Sequence, residues 1–235
     1  QTYLMPELPE VETTRRGIMP HVVGKTVSAV FVHECRLRWP VSPELAQMMT
    51  GQTILDIKRR GKYLLFELET GRVMIHLGMS GSLRLARPHT ERRKHDHLEF
   101  IIDNGSTLRF HDPRRFGSVF WLYGDAGHEL IDTLGPEPLT TEFSADYLYD
   151  LSRGRKTPIK NFIMNSKVVV GVGNIYANEA LFMSGILPSR FSGGIAKLRY
   201  CRLVDNIKTV LNRALVFGGT TLRDFVREDG SPGYF

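Results

Sequence analysis

The sequence predicts an α+β chain, a β-rich first half opened by one helix and then a helical second half. Two observations carry this. Short runs of β-branched and aromatic residues, bounded by turn formers, crowd the stretch from Thr26 to Leu122. Beyond Leu134 the apolar spacing changes to a helical period. So many strands at short spacing favour a β-sandwich or barrel over βαβ units.

In chain order, Pro9 to Ile18 reads as a short amphipathic helix ended near Pro20 and Gly24. Strands are expected at Thr26–Val32, Thr53–Ile57, Tyr63–Leu68, Val73–Leu77, Ser82–Leu85, His97–Ile102, Thr107–Phe110 and Ser118–Leu122. Asp103-Asn104-Gly105-Ser106 is a strong hairpin turn, and Glu69-Thr70-Gly71 a weaker one. Leu134 to Leu139, with two prolines and a glycine, reads as a linker. Helices follow at Ser144–Leu151, Pro158–Met164, Ile175–Met183 and Ile195–Val216, the last stopped by Gly218-Gly219. The domains expected are 1–134, a linker at 135–140, and 141–235.

Composition narrows the function classes. At 235 residues and 42% hydrophobic content the chain can bury real cores. No apolar run is long enough to span a bilayer and no signal-peptide pattern opens the sequence, so a cytoplasmic protein without a membrane partner is expected. Cys35 and Cys201 are too few for a disulfide framework or a four-cysteine zinc site, and no metal ligand set is assigned. The net charge of +6 and a pI near 9.4 suit a polyanionic partner, although ordinary solubility charge gives the same total.

Several short motifs could carry chemistry. Met5-Pro6-Glu7-Leu8-Pro9-Glu10 places a proline whose free amine would be nucleophilic beside a carboxylate. The same residues also suit the first turn of a helix, and Pro6 has no free amine while Gln1 to Met5 precede it. Lys58-Arg59-Arg60-Gly61-Lys62 ends a strand and can hold phosphate or deliver one lysine to a site. Asp112-Pro113-Arg114-Arg115-Phe116-Gly117 sets arginines beside an aromatic, fit for insertion into a base stack or, alternatively, for a core Phe with surface arginines. Met79, flanked by Gly78 and Gly81, is either a flexible apolar wedge or a gap filler. Lys94-His95-Asp96-His97 favours phosphate contact or hairpin polarity over metal. Val170-Gly171-Val172-Gly173-Asn174 leads into a helix with Asn174 at or near its N-cap, where backbone N–H groups would form a phosphate nest. Arg153, Arg155, Lys156 and Lys160 precede it, and their density points to nucleic acid.

Taken together, Pro6 to Glu12, Arg60 to Leu64, His76 to Gly81, Asp112 to Gly117, Leu134 to Pro138 and Gly173 to Tyr176 resemble bacterial formamidopyrimidine-DNA glycosylase in order and spacing. The resemblance runs from Met5 to Phe235. It implies an N-terminal β-sandwich domain and a C-terminal helix-two-turn-helix domain with damaged double-stranded DNA in the cleft between them, in a monomer of the bacterial cytoplasm associated with the nucleoid. The activity implied is base-excision repair: removal of 8-oxoguanine and formamidopyrimidines, then β,δ-elimination at the abasic site through a proline Schiff base. Pro6 would be the nucleophile, Glu7 the acid that assists sugar opening, and Lys62 a proton donor and phosphate contact. His95, Arg114, Arg155, Lys160 and Asn174 match DNA-binding positions. Met79, Arg114 and Phe116 match the residues that fill the gap left by a flipped base, and Gly219 to Tyr234 matches the lesion-recognition loop. The family also implies one Zn²⁺ in a four-cysteine finger, whose ligands are absent from this sequence. Residues 1–5 are expected to lie outside the mature protein. Two alternatives are an endonuclease VIII-like enzyme for oxidised pyrimidines, disfavoured by Leu8, and a catalytically inactive DNA-binding fragment.

Overall fold

A computed structural model describes residues 5–87 and 89–218, and the chain divides into two compact units. The expectations placed on Gln1 to Leu4 and on Gly219 to Tyr234 lie outside the described residues. One unit gathers Pro6 with Glu10–His128, and the other gathers Glu7–Pro9 with Glu129–Phe217.

The first unit is a β-sandwich. Strands β1 (Val27–Val32), β2 (Ile54–Arg60), β3 (Tyr63–Leu68), β4 (Gly71–His76), β5 (Ser82–Ala86), β6 (Asp96–Ile102), β7 (Thr107–His111) and β8 (Ser118–Tyr123) form two four-stranded sheets, β1-β6-β7-β5 and β2-β3-β4-β8. Neighbouring strands in both sheets are antiparallel. The β6–β7 hairpin closes on the Asn-Gly turn: Gly105 takes φ +85°, and Asn104 Oδ1 accepts the N–H and hydroxyl of Ser106. Inward residues of both sheets, among them Ile57, Phe66, Ile75, Phe100, Phe110 and Trp121, meet in one core.

Helix α1 (Leu8–Val22) packs Val11, Ile18 and Val22 into that core. It spans Pro20 and ends at Val22, between Pro20 and Gly24, the two residues near which the sequence predicted its end. Pro20 removes one helical hydrogen bond, but full burial of Val22 holds the last turn, and Gly24 at φ +74° ends the segment. A five-residue helix, α2 (Leu45–Met49), escaped the sequence reading because it is too short to show a helical period, although Leu45 and Met49 are buried and Ala46 and Met48 pack beside them.

The second unit is helical: α3 (Glu129–Asp132), α4 (Ala145–Ser152), α5 (Ile159–Met164), α6 (Asn174–Ser184) and α7 (Lys197–Val216). Ser144 caps α4, its hydroxyl accepting the Tyr147 N–H at 3.1 Å. Gly185 ends α6 in the left-handed region, with Ile186 N–H reaching back to the Leu181 carbonyl. The long α7 buries Tyr200, Leu203, Ile207, Val210, Leu211 and Ala214, a helical stripe packed on Ile163, Tyr176 and Leu181. Gly135 to Leu139 precedes this core, and Gly135 N–H donates to Ser166 O. No helix among the described residues is long and apolar enough to cross a membrane.

Candidate DNA-processing site

In the helical unit, the glycine-rich turn before α6 does not stand open as a phosphate nest. It holds the Glu7 carboxylate. Glu7 Oε2 accepts the Gly173 N–H at 2.7 Å and, more weakly, the Tyr176 N–H at 3.5 Å, while Oε1 accepts the Ile175 N–H at 2.8 Å. An anion at a helix N-terminus is what the orphan N–H groups and the helix dipole favour, and here the protein supplies its own. The glycines follow from this seating. A Cβ at 173 would lie 2.5 Å from Glu7 Oε1 and overlap its Cδ, and a Cβ at 171 would lie 2.6 Å from the Leu8 side chain. Leu8 N–H also donates to Gly171 O at 3.0 Å. Glu7 is 1% exposed, so its hydrogen bonds are made out of bulk water.

Gly173 is the N-cap, and Asn174 is the first helical residue, exposed. Asn174 thus stands directly beside the N-cap, where the sequence placed it at or near that position. Asn174 shares an open cavity of about 430 Å³ with Lys160, Asn161, Met164 and Asn165. Sequence reading picked Lys160 and Asn174 from this cavity and missed Asn161 and Asn165, which stand at i+1 and i+5 from Lys160. Arg155 is exposed, with its Nε on Leu151 O at 2.7 Å and its guanidinium over the Phe162 ring. Arg153 has a different job. It lies over the Tyr149 ring and donates to the Ile195 carbonyl at 3.0 Å, so it braces α4.

In the β unit, Pro6 lies two residues ahead of α1. Lys62 sits half-buried in the tight β2–β3 turn, where Gly61 takes φ +58°. The turn is tied to α1 through Glu12, which receives Arg15, Arg16 and Arg59, while Arg59 Nη1 also donates to Gly61 O at 2.9 Å. Burial pushes the Glu12 carboxyl up, but the arginine hydrogen bonds and charges outweigh it and hold the value down at about 2. His76, at the end of β4, is pushed down to about 4 by burial and then by the Lys62 and Arg38 charges. Its imidazole therefore stays neutral, and Nδ1 accepts the Gly78 N–H at 3.0 Å.

Met79 is half-buried on the β4–β5 turn, and Arg114 and Phe116 stand exposed on the loop after β7, Phe116 at 41%. The Arg114 guanidinium covers the Phe116 ring at 4.8 Å. Arg115, at φ +56°, turns the other way and reaches Glu34 at 3.4 Å. The core alternative for Phe116 is thus set aside. His95 is half-buried, and its ring lies 6.1 and 6.0 Å from those of His97 and His111. Desolvation and the neighbouring His111, Lys94 and His97 lower its proton affinity. Asp96 beside it is fully buried against Arg84 and His111.

Among the described residues no group of three or more His, Cys, Asp or Glu is arranged to hold a metal ion. Cys35 is exposed and Cys201 half-buried in α7. The residues described do not fit the zinc that this fold family generally binds, and no step below runs through it.

A β-sandwich unit, a helical unit and a proline-glutamate pair whose carboxylate is seated on a helix N-terminus define the class: a DNA glycosylase of base-excision repair. Family models agree along nearly the whole chain, the N-terminal domain of formamidopyrimidine-DNA glycosylase matching residues 5–119 and its H2TH domain residues 134–226. The chain belongs to the formamidopyrimidine-DNA glycosylase family, bifunctional enzymes that remove a base and cleave the abasic site. Formamidopyrimidine-DNA glycosylase of Thioalkalivibrio sulfidiphilus is 58% identical over 232 residues, which cover 98% of this chain and 86% of that protein. The protein of the same name from Stenotrophomonas maltophilia is 54% identical, again covering 98% and 86%. Among solved structures, MutM (Fpg) of Thermus thermophilus matches 98% of this chain and 84% of its own at 37% identity and a TM-score of 0.85. Lactococcus lactis Fpg bound non-covalently to DNA containing an abasic site matches 91% and 83% at 33% identity and a TM-score of 0.86.

Proposed function

We propose that this chain excises oxidised purines from double-stranded DNA with Pro6 as nucleophile and Glu7 as its proton carrier. The observation that carries the reading is the Glu7 carboxylate, fixed by backbone donors on both oxygens and adjacent in sequence to Pro6. Donors on both oxygens favour the ionised carboxylate. A proline amine titrates near 8, so at neutral pH much of it is ammonium. Glu7 takes that proton and the freed nitrogen attacks C1′ of the damaged nucleotide. The bond from C1′ to the base breaks, the base leaves with the bonding pair, and the remaining N–H proton of the attacking nitrogen ends on the departing base, which frees the nitrogen lone pair to open the sugar. Glu7 then passes its proton to the sugar ring oxygen as the ring opens, leaving a C1′ iminium. The iminium acidifies the C2′ proton; its loss expels the 3′ phosphate, and a second elimination expels the 5′ phosphate. Lys62 serves these eliminations as proton donor and phosphate contact.

The lesion must leave the helix first, because a side chain cannot reach C1′ of a stacked base. We assign that work to Met79, Arg114 and Phe116, and backbone contact to His95, Arg114, Arg155, Lys160 and Asn174. The exposed Arg114–Phe116 pair and the Lys160–Asn174 cavity support the assignment. The attack requires Pro6 to be the first residue of the working chain. We also place the enzyme in the bacterial cytoplasm with its DNA, as a monomer.

Borohydride trapping on an 8-oxoguanine duplex tests the reading. Wild type should form a covalent adduct, Pro6→Gly should keep a primary amine and some trapping, and Glu7→Gln should lose most base excision. Binding without an adduct would replace this reading with the inactive DNA-binding one. Undiminished excision by Glu7→Gln would remove the proton carrier.

A further inference from the structure

The two loops that carry Met79 and the Arg114–Phe116 pair are joined beneath the surface by one carboxylate. Asp112 is fully buried. Its Oδ1 accepts the Ser80 hydroxyl at 2.6 Å, and its Oδ2 accepts the Gly117 N–H at 2.8 Å. The Ser80 Oγ in turn accepts the Arg114 N–H at 3.2 Å. Ser80 follows Met79 directly, so a run of hydrogen bonds leads from one loop into the middle and the far end of the other. The Asp112 backbone is held as firmly: its N–H donates to His95 O at 3.0 Å, and its carbonyl accepts His97 Nε2 at 2.7 Å and Arg115 N–H at 3.2 Å. The loops also touch without intermediaries, since a Cβ at Gly78 would lie 2.5 Å from the backbone of Phe116 and Gly117.

We infer that Ser80 and Asp112 are positioning residues that lock Met79, Arg114 and Phe116 into one rigid head. This rests on the reading above that those three side chains fill the gap left by the extruded base. Side chains on separate flexible loops lose conformational freedom when they enter DNA, and that loss subtracts from the interaction that offsets unstacking. A buried clamp takes the loss during folding. Ser80 suits the post because its hydroxyl donates to Asp112 and accepts from Arg114 at once, which Ala cannot do. Asn at 112 can still accept the Gly117 N–H but cannot accept the Ser80 proton on a second oxygen.

The test follows unstacking directly. A duplex carrying 2-aminopurine beside 8-oxoguanine is mixed with enzyme in a stopped-flow fluorimeter, and single-turnover excision is measured on the same duplex. Ser80→Ala and Asp112→Asn should each slow unstacking and excision about tenfold. Borohydride trapping on an abasic site in a single strand, where nothing needs unstacking, should stay within twofold of wild type, and Ser80→Thr should restore the duplex rates. In a Phe116→Ala background, Ser80→Ala should add little, because the clamp acts through the wedge. Normal unstacking in both Ser80→Ala and Asp112→Asn would overturn the clamp, as would a Ser80→Ala defect that multiplies fully with that of Phe116→Ala. Failure of Phe116→Ala to slow unstacking would instead overturn the wedge reading, and the clamp with it.

Discussion

Replacing Gly173 with alanine tests the seat of Glu7 by space alone. The residue has φ −123° and ψ −158°, extended backbone that alanine adopts freely, so no conformational strain enters. The added methyl would sit 2.5 Å from Glu7 Oε1 and within the volume of Cδ, and so the carboxylate must leave its donors. Two charge-assisted hydrogen bonds, at 2.7 and 2.8 Å, are then lost. At roughly 1.5–3 kcal/mol each they total about 3–6, of which water returns part at the half-buried Ile175 N–H. A net loss on the order of 3 kcal/mol is expected in the unfolding of the helical unit. Catalysis should fall further, because displaced acid-base groups cost about 10²–10⁴-fold; we expect single-turnover excision of 8-oxoguanine to drop about 100-fold. Trapping on a preformed abasic site, which needs the Pro6 amine but no base departure, should fall much less. Gly185→Ala is the matched control: its φ of +62° costs about 1 kcal/mol in any non-glycine residue, and nothing lies within 4 Å of its Cβ. Gly173→Ala with excision within threefold of Gly185→Ala would refute the proposed role of the seat.

Three further outcomes are expected. Glu12 titrates near 2 in the fold against an ordinary 4.5, so its contribution is complete above pH 4.5 and is lost as pH falls towards 2; partial exposure of Arg16 reduces it to about 2 kcal/mol, and acid unfolding of Glu12→Gln should lack that slope. His76 is depressed to about 4 from 6.5, so the fold favours its neutral form and stability falls as pH drops from 6.5 to 4; His76→Asn should flatten thermal unfolding midpoints across that window. Lys160→Ala should weaken binding to all duplexes alike and reduce the slope of log affinity against log salt by about 1 when binding is titrated from low to high salt.

The strands were legible because short β-branched and aromatic runs are bounded by turn residues, as at Asn104-Gly105 between β6 and β7. The end of helix α1 was legible from Pro20 and Gly24, with burial of Val22 carrying it just past the proline, whereas α2 was too short to show a period. Chemistry-bearing residues could be read individually but their partners could not. Nothing local in Gly171-Val172-Gly173 says that the nest is filled by a carboxylate 166 positions earlier. Ser80 and Asp112 stand inside motifs noticed for Met79 and Phe116, yet a buried hydrogen bond across 32 residues leaves no mark on periodicity. Glycines at places where a Cβ would strike a distant residue were the available signal, and the sequence alone shows the glycine without the obstacle.

Occupation of the α6 N-terminus by Glu7 also has a consequence for how DNA would be held at long range under the proposed assignment. An open nest would attract phosphate through backbone dipoles, which carry no net charge. With that pole neutralised from within, the backbone contact proposed for this region rests on side-chain cations, Lys160 and Arg155. Affinity built on whole charges is exchanged against counterions, so under the proposed assignment the grip on undamaged DNA would loosen and tighten with local salt and charge density, while the buried Glu7 would be kept from the passing phosphates and reserved for the sugar.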